Sequence, residues 1–272
     1  IWTPEGSPLR KFTSDLAENL SKKLNSPIAL GRDATVDGNR SPAYDVLSAV
    51  TYGQPSIETQ LDNLSALGVE KILVVPLYPQ YSATTTGAVY DRLAQYIVKR
   101  RRIPEIICVN NYYRHPFYIR ALANSIRKSW GERGKSERLL LSFHGLPAAY
   151  AEKGDPYPQQ CLETAGMVAR DLELPSDAFA CSFQSRFGPS AWVKPYTDDL
   201  LRDWARAGVG EVDVVCPSFA VDCLETLEEI QLQSENLFRE HGGNNLQYVP
   251  CLNASPDHVL LMENIIIEYL PI

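Results

Sequence analysis

In the stretch RLLLSFHGLP (138–147), a run of apolar residues ends in an imidazole, His144, followed at once by a glycine. Near neutral pH an imidazole accepts a proton or binds a borderline metal ion. Gly145 lets the backbone turn and a ligand come close. A lone histidine serves as readily in a purely structural role, so its neighbours decide the reading. A second set lies in FAVDCLETLEEIQLQ (219–233), where Asp222, Glu225, Glu229 and Gln233 recur at i, i+3, i+7 and i+11. On a regular helix that spacing makes one acidic stripe, with Leu224, Leu227 and Ile230 on another face. The stripe reads either as a relay for protons or a cation, or as an ordinary solvated face.

Two further stretches carry polar and aromatic groups where strands are expected to end. SFQSRFGPSAWVKP (182–195) offers Gln184, Ser185 and Arg186, then Phe187 and Trp192 around a Gly-Pro turn. A tryptophan in such a loop is harder to bury than one inside a helix, so Trp192 is expected to present a flat apolar surface. PLYPQYSATTTG (76–87) brings Tyr78, Tyr81 and a hydroxyl cluster, readable as a helix cap or as one wall of a cleft.

The elements that must hold these residues follow from hydrophobic patterning. Short β-branched runs (VLSAVTY, KILVVPLY, EIICVN, RLLLSF, AFACSFQ, EVDVVCP, LQYVP) each precede an amphipathic segment. Such alternation predicts an α/β fold of parallel sheets flanked by helices. Gly68 and Gly208 are placed to close helices, and Ser255-Pro256 to open the last one. The two halves also echo each other: PSIETQLDNLSALGVEKILVVP (55–76) returns 140 residues later as PYTDDLLRDWARAGVGEVDVVC (195–216), with Pro55/Pro195, Gly68/Gly208 and Val75/Val215 coinciding. Two similar Rossmann-like domains are therefore expected, over 1–135 and 136–272, with the last helix packing on the first. By the same echo, the counterpart of RLLLSF in the first domain falls before residue 1, so that domain is expected to be incomplete. In open α/β sheets ligands bind beyond the carboxyl ends of strands, which is where His144 lies.

Composition narrows the classes. With 272 residues, 44% of them hydrophobic, the chain can bury a large core. A net charge of -7 argues against a nucleic-acid partner, and the basic run Lys99–Arg102 is isolated at the end of an expected helix. Six cysteines without a C-x-x-C pair suit reduced thiols in a cytoplasmic protein. No apolar run reaches the ~18 residues of a membrane span. Nucleotide-binding G-x-G-x-x-G and P-loop patterns are absent, as is H-E-x-x-H.

Taken in order, LLLSFHGLP, KGDPYPQQC, FQSRFGPSAWVKPYTD, CPSFAVDCLETLEEI and LNASPDHV resemble the ferrochelatases of proteobacterial type, as do GSPL (6–9), TYGQPS (51–56) and PLYPQYSATTTGA (76–88). The resemblance covers nearly the whole chain. It implies a chelatase-like fold and a lyase of haem biosynthesis that inserts Fe2+ into protoporphyrin IX, releasing two protons. Carried over, it puts the catalytic histidine at His144 and the essential glutamate at Glu225, both in reach of the metal. Asp222 and Glu229 then fall on a proton or metal path, and Trp192, Phe219, Tyr52, Tyr81 and Gln184 on the porphyrin. Iron enters as a substrate and no cofactor is implied. An iron–sulfur cluster is not expected, because the sequence stops at EYLPI without a Cys-rich extension. Peripheral contact with the inner membrane is a further expectation of the family; the oligomeric state is left open. The rival readings are a chelatase for coproporphyrin or another tetrapyrrole, and a non-catalytic tetrapyrrole- or metal-binding module. RDATVDGNRSPAYDVLSA (32–49) departs from the family pattern and reads as a surface loop from its Gly, Asn, Asp and Pro content.

Overall fold

A computed structural model describes residues 2, 6–26 and 44–270. Most of the 32–49 loop lies outside the described residues; its end, residues 44–49, has no regular structure. Asn25 fastens that end, its amide donating to the Tyr44 carbonyl at 3.0 Å while the Tyr44 N–H donates to Asn25 Oδ1 at 3.1 Å.

The chain alternates helices and strands. α1 (Pro8–Leu24) and α2 (Ile57–Ala66) precede β1 (Lys71–Val74), α3 (Thr86–Ile97), β2 (Glu105–Cys108) and α4 (Pro116–Arg133). Then come β3 (Arg138–His144), α5 (Ala148–Glu152), α6 (Tyr157–Asp171), β4 (Phe179–Gln184), α7 (Thr197–Arg206) and β5 (Glu211–Val215). A short helix α8 (Leu224–Leu227), a π-helical turn (Glu229–Ser234), α9 (Glu235–Glu240), β6 (Asn245–Val249) and α10 (Pro256–Tyr269) complete it.

All strand pairings are parallel. β1 and β2 form one sheet, and the other runs β4-β3-β5-β6 with β3 and β5 inside it. Residues Leu139 to Phe143 of β3 are all buried, which is why the strand reads as a continuous apolar run rather than an alternating one. Burying each such side chain contributes about 1.5–3 kcal/mol. α10 packs against α1 and α4, bringing Met262 and Ile266 into one cluster with Leu16, Leu20 and Leu24.

The internal echo is structural. α2 and α7, β1 and β5, β2 and β6, and α4 and α10 each start 140 residues apart. Gly68 and Gly208 take φ of 77° and 90° behind α2 and α7, a conformation that favours glycine at a helix end.

Two expectations are corrected. VLSAVTY forms no strand; Val50 makes only an isolated bridge to Ser56. A strand needs a hydrogen-bonded neighbour, and β1 pairs among the described residues with β2 alone. The acidic stretch after β5 is not one regular helix either. α8 ends after a single turn and the chain widens into a π turn, where the Gln233 N–H donates to the Glu228 carbonyl at 2.9 Å and the Ser234 hydroxyl to the Glu229 carbonyl at 2.9 Å. The 3.6-residue period breaks there, so Asp222, Glu225, Glu229 and Gln233 do not form a stripe.

Candidate active site

Strand β3 delivers His144 to the carboxyl end of the larger sheet, in register with Gln184 of β4. The His144 N–H donates to the Ser218 hydroxyl at 3.0 Å, and Nδ1 lies 2.8 Å from the Gly145 carbonyl oxygen. A carbonyl only accepts, so Nδ1 carries the proton and the neutral ring keeps its lone pair on Nε2. The imidazole is partly exposed and its centroid is 6.1 Å from the Phe219 ring.

Phe219 and Ser218 belong to the wall of an apolar cavity of about 560 Å³. Tyr52 and Tyr78 from the first half line the same space, as do Ala220, Val221 and Cys223. Its volume falls in the range of small-molecule sites. Neither His144 nor Glu225 lines the cavity; each adjoins its Ser218–Cys223 wall, His144 through the bond of its N–H to Ser218 and Glu225 as the second residue after Cys223 in the chain. Burial chiefly raises the Tyr78 and Cys223 side chains above their usual pKa, and the Glu225 carboxylate adds to both, which puts its charge at the cavity rim. Glu225 itself is exposed.

The remaining expected site residues divide. Gln184 is buried and all four of its polar positions are taken. Oε1 accepts from the Ser142 hydroxyl at 2.8 Å and the Cys216 thiol at 3.4 Å; Nε2 donates to the Glu225 carbonyl at 2.7 Å and to Glu229 Oε2 at 3.4 Å. It is a strut between the sheet and α8, with nothing left for a tetrapyrrole. Glu229 is likewise a brace. It accepts from the Ser185 N–H at 2.6 Å and hydroxyl at 2.5 Å, holding Ser185 at φ 61°, a left-handed conformation that a serine adopts only with support.

Asp222 is 3% exposed and accepts from the Tyr248 hydroxyl (2.5 Å), the Asn253 amide (2.6 Å), the Thr226 hydroxyl (3.1 Å) and the Cys251 N–H (3.3 Å). Four donors satisfy a buried carboxylate, so Asp222 anchors the start of α8. Its spacing in the sequence matched a relay, but Asp222 lies buried just before α8 while Glu225 is exposed on it.

Trp192 is also inside rather than on display. It is 7% exposed, its Nε1–H donates to the Phe187 carbonyl at 3.0 Å, and its ring lies over Gly145. A Cβ on Gly145 would sit 2.6 Å from the Gln184 carbonyl oxygen and 3.0 Å from Trp192 Cε3. The missing side chain thus makes room for an indole of this protein, and Phe187, 73% exposed, is the aromatic left facing outward.

Tyr81 is partly buried, and its N–H donates to Gln160 Oε1 at 2.7 Å. The adjoining hydroxyl cluster serves a junction that the spacing had not revealed. Asp155 Oδ2 accepts from the Ser82 hydroxyl at 2.8 Å and the Ala83 N–H at 2.9 Å, tying the loop before α3 to the loop before α6. Ser218 and Asp155 were missed in the sequence because each acts through hydrogen bonds to a segment far away in the chain, Ser218 to the end of β3 and Asp155 to the loop before α3; KGDPYP is the hint of the latter.

The six cysteines are free and mostly buried. Burial pushes the Cys108 thiol up to about 11 and Cys181 to about 12, so neither is a thiolate near neutral pH. Among the described residues no group of three or more His, Cys, Asp and Glu side chains is arranged to hold a resident metal ion, and no helix is long and apolar enough to cross a membrane.

Comparison with known proteins places this arrangement. The solved structure of SirB from Bacillus subtilis with Fe3+ superposes with a TM-score of 0.64 at 14% identity, covering 98% of this chain and 92% of that one. CbiX, the terminal enzyme for biosynthesis of sirohaem in denitrifying bacteria, gives 0.59 at 15% identity, covering 97% and 95%. These likenesses show the chelatase fold. The ferrochelatase of Acinetobacter baylyi is 46% identical over 272 residues, spanning 99% of this chain and 76% of that protein. That of Nitrosococcus oceani is 43% identical over 99% of this chain and 70% of its own. Since the family model "Ferrochelatase" matches residues 2–270 as well, the chain belongs to the ferrochelatase family.

Proposed function

We propose that this chain inserts Fe2+ into protoporphyrin IX, forming protohaem and releasing two protons. Metal insertion exchanges two pyrrole N–H protons for one divalent ion, so the enzyme must supply a base at one face of the macrocycle and a route for cation and protons at its edge. The observation that carries the reading is the His144 Nδ1–H bond to the Gly145 carbonyl, which leaves the Nε2 lone pair free beside Phe219. In this reading Nε2 accepts a pyrrole proton and the exposed Glu225 carboxylate draws iron or passes protons at the rim. Tyr52, Tyr78 and Phe219 hold the ring against the cavity mouth. Gln184, Glu229 and Asp222 act by fixing the loop that carries Glu225. The buried, free thiols fit a reducing, cytoplasmic setting.

Anaerobic incubation with Fe2+ and, separately, protoporphyrin IX, coproporphyrin and sirohydrochlorin tests the substrate, read from the absorption spectrum of each metallated product. Preferential turnover of protoporphyrin IX is expected. Preference for either of the others would replace the substrate, and turnover of none would remove the activity.

A further inference from the structure

A single turn behind β5 supports His144 and carries its aromatic neighbour. The Phe219 N–H donates to the Cys216 carbonyl at 3.1 Å, closing the turn with Pro217 in its second position, the place that proline favours. The Ser218 hydroxyl of that turn accepts the His144 N–H at 3.0 Å, and the Phe219 ring centroid lies 6.1 Å from the imidazole. A third group of the turn, the Pro217 carbonyl, accepts from the Tyr118 hydroxyl of α4 at 2.5 Å. Tyr118 is itself held from behind. Gln80 Nε2, in the loop after β1, donates to the Tyr118 hydroxyl at 3.4 Å and to Thr164 Oγ1 at 3.0 Å, while the Thr164 hydroxyl donates to the Gln160 carbonyl at 3.0 Å. Tyr118, Gln80 and Thr164 are all buried.

We infer, on the reading of His144 as the proton acceptor, that Tyr118 is a positioning residue for metal insertion: through Pro217 it fixes the turn that sets His144 and Phe219 relative to each other. A phenylalanine would fill the same core position without burying a hydroxyl, and a buried hydroxyl costs free energy unless it is bonded. What the oxygen adds at position 118 is the bond to Pro217. Tyr112 provides the contrast. Its ring stands edge-on to Tyr118 with centroids 5.7 Å apart, and its hydroxyl is also buried, yet it has no hydrogen-bond partner among the described residues. Without its donor the Pro217 carbonyl releases the turn, and Ser218 and Phe219 move with it. A small displacement of a base from the proton it must take weighs heavily on rate and little on binding.

The test compares Tyr118→Phe with Tyr112→Phe in the 272-residue chain, each removing one buried oxygen. Amide hydrogen exchange and anaerobic Fe2+ insertion into protoporphyrin IX are measured, with thermal unfolding to correct for the folded fraction. In Tyr118→Phe the His144 amide is expected to exchange roughly 10-fold faster or more relative to the other β3 amides. Its kcat is expected to fall roughly 10-fold while KM for the porphyrin stays within about two-fold. Tyr112→Phe is expected to match the parent in both. In a His144→Ala background Tyr118→Phe is expected to cost no further rate, because it acts through the absent base. Equal exchange of the His144 amide in the parent and Tyr118→Phe would overturn the inference, as would a faster amide at unchanged kcat or an equal loss in Tyr112→Phe. The two readings fail separately: a parent rate in His144→Ala removes the proton acceptor, whereas an unmoved His144 amide removes the role of Tyr118 with the acceptor intact.

Discussion

Gln184 Nε2 donates to the backbone carbonyl of Glu225 at 2.7 Å, so the β-strand neighbour of His144 also fixes the short helix that carries the acidic residue. His144 and Glu225 are thereby held to one frame. Replacing Gln184 by leucine leaves the Glu225 carbonyl without this donor and the Ser142 hydroxyl with Thr197 alone, at a cost of about 1–3 kcal/mol. Turnover should fall more than stability implies, with slower exchange of iron rather than weaker porphyrin affinity; a kcat loss at constant KM for porphyrin, measured beside thermal unfolding, checks this.

Asp222→Ala should destabilise the fold by about 3 kcal/mol or more, because four donors lose one buried acceptor. Denaturant unfolding measures it. A variant as stable as the parent but slow in metal insertion would return Asp222 to a chemical role.

Gly145→Ala tests the packing of the indole. The new methyl meets a backbone oxygen that cannot move aside, so a loss of about 1–3 kcal/mol is expected, together with a shift in tryptophan fluorescence as Trp192 is displaced. An unchanged emission spectrum and stability would contradict the contact.

His258 gives a pH dependence unconnected with catalysis. Burial lowers its pKa from 6.5 to about 4, and Nδ1 bonds to the Asn253 carbonyl. The folded state thus binds its proton later than the unfolded chain. Stability from this group is fully present above about pH 6.5 and is lost as pH falls to about 4, by about 3 kcal/mol in all. Unfolding free energies between pH 4 and 7 should show that slope in the parent and a flatter one in His258→Gln.

Much of this could be read in the residues before any coordinates. KILVV, EIIC, RLLLSF, FACSFQ, EVDVV and LQYVP become strands because parallel pairing buries both faces, and that leaves a plain apolar signature. The position of His144 at a strand end was equally visible. VLSAVTY carries the same signature and still forms no strand, since pairing depends on a neighbour elsewhere in space. The acidic stripe failed for another reason: periodicity assumes a regular helix, whereas the hydrogen bonds of Ser234 and Glu229 select a π turn. Trp192 is buried because a glycine 47 residues away in the sequence lies beneath it, a relation no local window contains.

The most direct test of the central claim is insertion of Fe2+ into protoporphyrin IX by His144→Ala, followed anaerobically through porphyrin fluorescence, with porphyrin affinity measured alongside by titration. Removing the Nε2 base is expected to slow insertion by roughly 10²–10⁴-fold while affinity stays within a few-fold. Insertion at the parent rate by a folded His144→Ala protein would contradict the assignment of the proton acceptor.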